Sequence, residues 1–276
     1  MEKILVVGAN GTVGKELVRL LRLEGKQVFE TTHRAASGSH QRHVDLVTKE
    51  GVEEALIGID RVFLLSPPGH ANQFALLDPV IQAARQQKVK RLVLMTAMGV
   101  NFSDEIPLRK AELALEASGI PHTILRPNWF MQNFNSYWIG GILAQGKVLL
   151  NAGQAKVTFI DARDIAAVAA KTLLTDGPNQ VFDLTGSESL DHAQAAKILS
   201  DVTGKSIVYE SITAEAMLKG LTGAGLPVDY SQVLVAMLSG LSAGHASHDT
   251  GAVKKILGRD PITFRKYAED YRQSWL

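Results

Sequence analysis

Ile4-Leu5-Val6-Val7-Gly8-Ala9-Asn10-Gly11-Thr12-Val13-Gly14 decides the fold, because four apolar residues run straight into glycines spaced G-x-x-G-x-x-G. A continuous apolar run suits a parallel strand covered on both faces. Val13, Leu17, Leu20 and Leu21 then recur at helical spacing, so the stretch reads as strand, tight turn, helix. Such a turn aims backbone N–H groups at an anion. Gly8 permits the turn, Gly11 removes a side chain where a pyrophosphate must come close, and Gly14 lets the helix pack on the strand. A turn that merely reverses the chain would carry the same glycines, so the context decides. A second strand, Gln27 to Thr32, follows about twenty residues later, where a dinucleotide fingerprint requires it.

The end of that second strand bears on which dinucleotide is bound. An NAD site places Asp or Glu there to accept from the ribose 2′-OH, whereas this chain has Thr31-Thr32-His33-Arg34. A guanidinium suits a 2′-phosphate, which it can grip with two parallel hydrogen bonds. NADP(H) is therefore the expected cofactor. Asp45, after a short extended piece at His43-Val44, is placed to face the adenine as a cofactor-binding residue, the alternative being a cap on the helix region from Thr48.

Composition narrows the classes. The 276 residues are enough for a large α/β unit with a lobe attached. A formal net charge of +1 and no basic block beyond pairs such as Lys254-Lys255 argue against a nucleic-acid surface. No apolar run approaches the roughly 20 residues of a membrane span, and strand residues begin almost at Met1, so a soluble, cytoplasmic protein is expected. The absence of cysteine excludes disulfides, thiolate chemistry and cysteine-held metal. His33, His40 and His43, like His245 and His248, lack zinc spacing with a third ligand, and no metal is expected.

Strand and helix patterns alternate through the first two thirds, the signature of a Rossmann-type doubly wound parallel sheet in an α/β fold. Strands are expected near Lys3 to Val7, Gln27 to Thr32, Arg61 to Leu65, Arg91 to Thr96 and His122 to Leu125. Helices are expected over Gly11 to Glu24, Thr48 to Ile57, Asn72 to Gln87 and Glu105 to Ser118. Beyond Asn128 the pattern predicts a helix over Trp129 to Gln145, then a strand at Val157 to Ile160 and a helix capped by Asp161. Asp161 and Asp164 sit in a first helical turn, where acidic residues favour the helix dipole, so they read as structural. The resulting division is an NADP-binding domain over 1–186 and a smaller, mainly helical C-terminal substrate lobe over 187–276. Such a lobe would cover the carboxyl edge of the sheet, where ligands bind in this class of fold.

Three more loops leave strand ends on the side where a nicotinamide would lie. They carry Ser66 and Pro67, Thr96 and Met98, and the run Arg126-Pro127-Asn128-Trp129-Phe130-Met131-Gln132-Asn133. Together they would make a floor and one aromatic wall, although Trp129 and Phe130 fit the core of a following helix equally well.

With these motifs in place the chain resembles the NmrA-like group of atypical short-chain dehydrogenases/reductases. The resemblance spans essentially the whole chain. It rests on Gly8 to Gly14, Arg34, the stretch Ala117-Ser118-Gly119-Ile120-Pro121-His122-Thr123-Ile124-Leu125-Arg126-Pro127-Asn128-Trp129-Phe130, and Leu257-Gly258-Arg259. It implies NADP(H) held by the turn (Gly8, Asn10, Gly11, Thr12, Val13) and Arg34, with nicotinamide contacts from Ser66, Thr96, Pro127, Asn128 and Trp129. Pro67, Met98, Phe130 and Asn133 would line the acceptor pocket. Short-chain dehydrogenases typically use Tyr-x-x-x-Lys on the helix before the fifth strand, but here Asp104 and Leu108 occupy those places. Arg109 and Lys110 are turned from Leu108 by about 100° and 200° on the helix. No catalytic side chain is therefore assigned.

Losing the tyrosine restricts the acceptor rather than forbidding reduction. Hydride delivered to an ordinary ketone leaves an alkoxide near water's pKa of ~15.7, whereas a quinone leaves a phenolate near ~10. At ~1.36 kcal/mol per pH unit, the difference is about 8 kcal/mol of proton affinity. A positioned acid matters far less for the quinone. The expected activity is direct hydride transfer to a quinone-like or conjugated aromatic small molecule, by a monomer or homodimer. The rival reading is an NADP-binding redox sensor of the NmrA type that does not turn over.

Overall fold

The computed structural model describes residues 2–276. The chain runs β1 (Lys3–Val6), α1 (Thr12–Leu23), β2 (Gln27–Thr32), β3 (Gln41–His43), α2 (Val52–Leu56), β4 (Arg61–Leu65), α3 (Phe74–Gln86), β5 (Arg91–Met95), α4 (Pro107–Ala117) and β6 (His122–Pro127). It continues through α5 (Ile139–Gln145), β7 (Lys147–Leu150), β8 (Lys156–Thr158), α6 (Ala162–Leu174), β9 (Gln180–Leu184), β10 (Ser189–Asp191), α7 (His192–Thr203) and β11 (Val208–Ser211). The remaining helices are α8 (Ala214–Gly223), α9 (Val228–Gly240), α10 (Ala252–Leu257) and α11 (Phe264–Asp270).

Seven strands form one sheet in the order β3-β2-β1-β4-β5-β6-β9. Each neighbouring pair is parallel. This is the expected doubly wound sheet, and its order reverses beside β1. Strands β1, β4, β5 and β6 are buried along almost their whole length, because helices cover both faces and leave no room for polar alternation. Helix α1 turns Val13, Leu17, Val18 and Leu21 inward and packs on α6. Helices α2, α3 and α4 bury Val52, Leu56, Leu77, Ala111 and Leu115 in a single core cluster with strand residues Leu5, Val62, Leu64 and Leu94. Buried Arg61 and Arg91, at the starts of β4 and β5, donate to the carbonyls of Leu173 (2.7 Å) and Thr172 (2.8 Å). They cap the C-terminal end of α6, where a cation is favoured.

The chain folds into two compact units. The first comprises Met1–Pro68, Asn72–Pro127 and Ala162–Leu184, and the second Gly69–Ala71, Asn128–Asp161 and Thr185–Leu276. The linear division expected at residue 186 does not contain this grouping: residues 128–161 fold with the C-terminal segment because their apolar side chains share its core. That core joins Met131, Phe134, Val148, Leu150 and Phe159 with Leu199, Phe264, Tyr267 and Trp275.

The single helix expected over Trp129 to Gln145 is not present. Trp129 and Phe130 are extended, and Phe130 bridges to Ile160. A short 3-10 turn over Met131–Asn135 follows, and α5 begins only at Ile139. Asn133 ends the turn by accepting at its carbonyl from the N–H groups of Trp138 (2.9 Å) and Ser136 (3.4 Å). Asn135 and Ser136, at the break, are weak helix formers, so little local preference opposes it. Helix α2 also starts later than expected, because Gly51 takes a left-handed conformation at its N-cap (φ +74).

Candidate functional site

The registers Leu65↔Met95 and Met95↔Leu125 bring β4, β5 and β6 to a common edge. Val6↔Phe63 and Thr32↔His43 do the same on the other side of the order reversal. The loops leaving this carboxyl edge, the first turn of α1 and the last residue of β6 carry the predicted site residues of the first unit.

Gly8 adopts φ +79, and its N–H donates to Thr31 Oγ1 at 3.2 Å. Gly11 N–H closes the turn on the Gly8 carbonyl at 2.9 Å. A Cβ on Gly14 would lie 2.1 Å from that same oxygen, so only glycine lets α1 approach the strand this closely. Asn10, Gly11 and Thr12 are exposed, and the buried side chain of Val13 anchors the first turn. Helix α1 has no side-chain cap and no acidic residue in its first turn, which leaves its leading N–H groups for an anion. These residues fit a dinucleotide diphosphate.

Arg34 lies just beyond β2 and is exposed. Its backbone N–H donates to Thr32 Oγ1 at 3.1 Å. Among the described residues its guanidinium has no hydrogen-bond or ion-pair partner. Asp45 takes the second of its two expected roles: Oδ1 accepts from the N–H groups of Val47 (2.8 Å) and Thr48 (3.0 Å). Those bonds hold its carboxyl below the usual range, and Asp45 Oδ1 is thereby committed to the turn.

Ser66 is half-buried, and its hydroxyl donates to the Pro67 carbonyl at 3.2 Å. Pro67 and Met98 are half-buried in neighbouring loops. Met98 N–H donates to the carbonyl of Pro127 at 3.0 Å, which ties the β5 and β6 loops together. Thr96 is buried, and its hydroxyl donates to Glu112 Oε1 at 2.7 Å. Its proton is thus committed, and what the oxygen can still offer a ligand is a lone pair.

Glu112, which the sequence pattern does not mark as a site residue, centres a polar cluster. It is fully buried and accepts two bonds from Arg126 (2.9 and 2.6 Å) and one from Arg109 (2.9 Å). Burial pushes this carboxyl up, but the bonds from Arg126, Thr96 and Arg109 outweigh it and hold the group below the ordinary glutamate value. The signal for this cluster is Arg126 after the apolar run Thr123-Ile124-Leu125, because a charge in a strand covered on both faces needs a partner. The places of the missing dyad hold neither a tyrosine nor a lysine. Asp104 pairs with Arg109 (3.2 Å), Leu108 packs on the apolar core, and Lys110 pairs with Glu105 (2.6 Å).

Asn128, Trp129, Phe130 and Asn133 belong to the second unit. Asn128 is buried, and its side-chain amide donates to the carbonyls of Ala246 (2.8 Å) and Thr158 (3.2 Å) while accepting from Trp129 N–H (2.9 Å). That amide is spent on local structure. Trp129 is half-buried and packs against Trp138, with ring centroids 6.3 Å apart. In the same unit burial raises the phenol of Tyr230, which the sequence does not single out, above its ordinary value.

Residues 8–176 match a family model described as NAD(P)H-binding. An NAD(P)H azoreductase from Xenophilus azovorans is 32% identical, with 96% of this chain and 96% of that protein aligned. The triphenylmethane reductase of Citrobacter sp. superposes with a TM-score of 0.83 at 24% identity, over 98% of this chain and 99% of that one. An NADPH-dependent quinone oxidoreductase from Escherichia coli gives 0.80 at 24% identity, over 97% and 98%. The two structural likenesses concern the fold.

Proposed function

Because the chain belongs to the NAD(P)H-binding family, as its match over residues 8–176 shows, we propose that it is a reductase that prefers NADPH and passes hydride directly to a quinone-like or conjugated aromatic acceptor. The NAD(P)H-binding part of the resemblance drawn from its motifs is borne out by the same match, and the NmrA-like grouping agrees with it. The observation that carries the cofactor preference is Arg34: an exposed arginine at the end of β2, its backbone fixed and its guanidinium without a partner among the described residues. Forked donors of this kind suit a phosphomonoester and gain much less from a neutral ribose hydroxyl.

When bound, the dihydronicotinamide supplies the hydride. The protein's own contribution is to hold the diphosphate on the leading amides of α1 and to fix Ser66, Thr96 and Pro127 at the ends of β4, β5 and β6. Asp104 and Leu108 give no proton donor where the short-chain dehydrogenases have one, so catalysis rests on positioning, and water can protonate the phenolate that a quinone leaves. Relatives named for azo compounds, triphenylmethane dyes and quinones share an electron-poor conjugated acceptor.

The test is NADPH oxidation against a panel of quinones, azo compounds and triphenylmethane dyes, with NADPH and NADH affinities measured for wild type and Arg34→Ala. Losing charge-assisted bonds at about 1.5 to 3 kcal/mol, the variant should bind NADPH roughly ten- to a hundredfold more weakly and NADH as before. An unchanged ratio of the two affinities overturns the cofactor reading. Tight binding without turnover on any acceptor decides for the redox-sensor alternative.

A further inference from the structure

We propose that His43 is a positioning residue for Arg34, and through it a determinant of preference for a dinucleotide bearing a ribose phosphomonoester; the inference rests on the NADPH reading above. Thr32 and His43 are register partners at the carboxyl ends of adjoining strands β2 and β3, and the loop between them carries Arg34. Each pins one backbone group of that arginine. Thr32 Oγ1 accepts the Arg34 N–H at 3.1 Å, and His43 Nδ1 lies 3.1 Å from the Arg34 carbonyl oxygen. A carbonyl can only accept, so the imidazole carries its proton on Nδ1 and donates.

The ring is itself held in place. A Cβ on Gly51 would come within 3.3 Å of His43 Cδ2 and 2.3 Å of its carbonyl oxygen, so this left-handed glycine leaves the space in which His43 sits. On the far side, His43 Nε2 faces Glu50 Oε1 at 3.8 Å. Gly51 thus leaves the space that the imidazole fills, and the Nδ1 hydrogen bond ties the ring to the loop.

The neighbouring arginine shows what an occupied cation looks like here. Arg42, one residue before His43, lies over the Phe29 ring at 4.6 Å and donates to the Glu54 carbonyl at 3.5 Å. Arg34 has its backbone fixed at both polar groups while its guanidinium makes no protein contact of this kind among the described residues. Fixing the backbone while leaving the charged head unspent prepares an anion site, because ordering the loop in advance removes that cost from binding.

The experiment measures NADPH and NADH dissociation constants by calorimetry for wild type, His43→Phe, His43→Asn, Arg34→Ala and the double variant His43→Phe/Arg34→Ala. His43→Phe loses the hydrogen bond and should weaken NADPH binding roughly five- to tenfold, with NADH within twofold. His43→Asn keeps an N–H near the Nδ1 position and should recover most of the loss. In the Arg34→Ala background His43→Phe should have no further effect on NADPH. Equal weakening of both dinucleotides by His43→Phe would make the residue merely structural and overturn the proposal. An undiminished His43→Phe effect without Arg34 would also overturn it. If neither dinucleotide binds the wild type, the cofactor reading itself fails, an outcome distinct from either.

Discussion

Acid should loosen the second unit through His192. This residue opens α7 and is fully buried, and neither ring nitrogen meets a hydrogen-bonding group among the described residues. Its neighbours are rings: Phe159 and Tyr209 with centroids at 5.3 Å, Trp138 at 5.7 Å and Phe134 at 6.3 Å. Burial in this cage lowers its pKa from 6.5 to about 4, against a smaller upward pull from Asp191. The folded state keeps the imidazole neutral where the unfolded chain takes up a proton, so stability is full above 6.5 and falls as the pH drops toward 4. Multiplying the gap from 6.5 to about 4 by about 1.36 kcal/mol per pH unit gives about 3 kcal/mol, of which about 2 kcal/mol is lost by about pH 5. Carboxylates titrate in part of the same range, so the informative quantity is the difference between wild type and His192→Leu. Leucine removes two unbonded polar nitrogens, worth about 1 to 3 kcal/mol, but fits the site less well by up to about 1.5 kcal/mol, so at neutral pH the variant should range from about equal to wild type to about 3 kcal/mol more stable, and that difference is the baseline. At about pH 5 the variant should gain about 2 kcal/mol relative to wild type. Urea denaturation followed by tryptophan fluorescence reads this, since Trp138 touches the cage. If both proteins lose stability in parallel between about pH 7 and pH 5, the imidazole is not buried in its neutral form and the reasoning is wrong.

Other outcomes follow from the first unit. Gly14→Ala drives a methyl group to 2.1 Å from the Gly8 carbonyl oxygen, so α1 must shift; thermal denaturation should show a clear loss of stability and calorimetry a loss of NADPH binding. Glu112→Leu leaves Arg126 and Arg109 facing a hydrocarbon, and removing one partner of a buried ion pair should cost about 3 to 5 kcal/mol in chemical denaturation. With no donor at Asp104 or Leu108, kcat for quinone reduction at saturating NADPH should stay level from about pH 6 to pH 9; an inflection in that range would reveal a titrating group that positions or protonates the acceptor.

The sheet and the diphosphate turn were legible because their signals are local. An apolar run, helical spacing and three glycines each fix a few consecutive torsions, and the Gly14 contact with Gly8 closes within one turn. The segment from Trp129 to Gln145 was not legible: its apolar residues suit a helix, but Phe130 is held extended by Ile160, a partner 30 positions away. Site residues divide the same way. Arg34 could be read from its place after a strand, whereas the role of His43 depends on β2 and β3 lying side by side in register. The amide of Asn128 looked available from its position, but carbonyls at Thr158 and Ala246 claim it. His192 looked like an ordinary polar residue at a helix start until four rings closed around it.

Helix α4 links the missing donor to what replaced it. In short-chain dehydrogenases this helix offers a tyrosine and a lysine; here its polar chemistry is turned inward, toward Glu112. That carboxylate accepts a hydrogen bond from the Thr96 hydroxyl at 2.7 Å and is paired with the Arg126 fork. A hydroxyl so committed gives little to an oxyanion but accepts well from an amide N–H, since bonding to a carboxylate enriches its oxygen. Thr96→Val should therefore weaken binding of a reduced cofactor that carries a carboxamide more than one carrying an acetyl group in its place, because only the carboxamide has N–H to give. If the valine variant binds both equally less well, Thr96 acts as a donor or as packing, and the inward-turned carboxylate has no part in holding the cofactor.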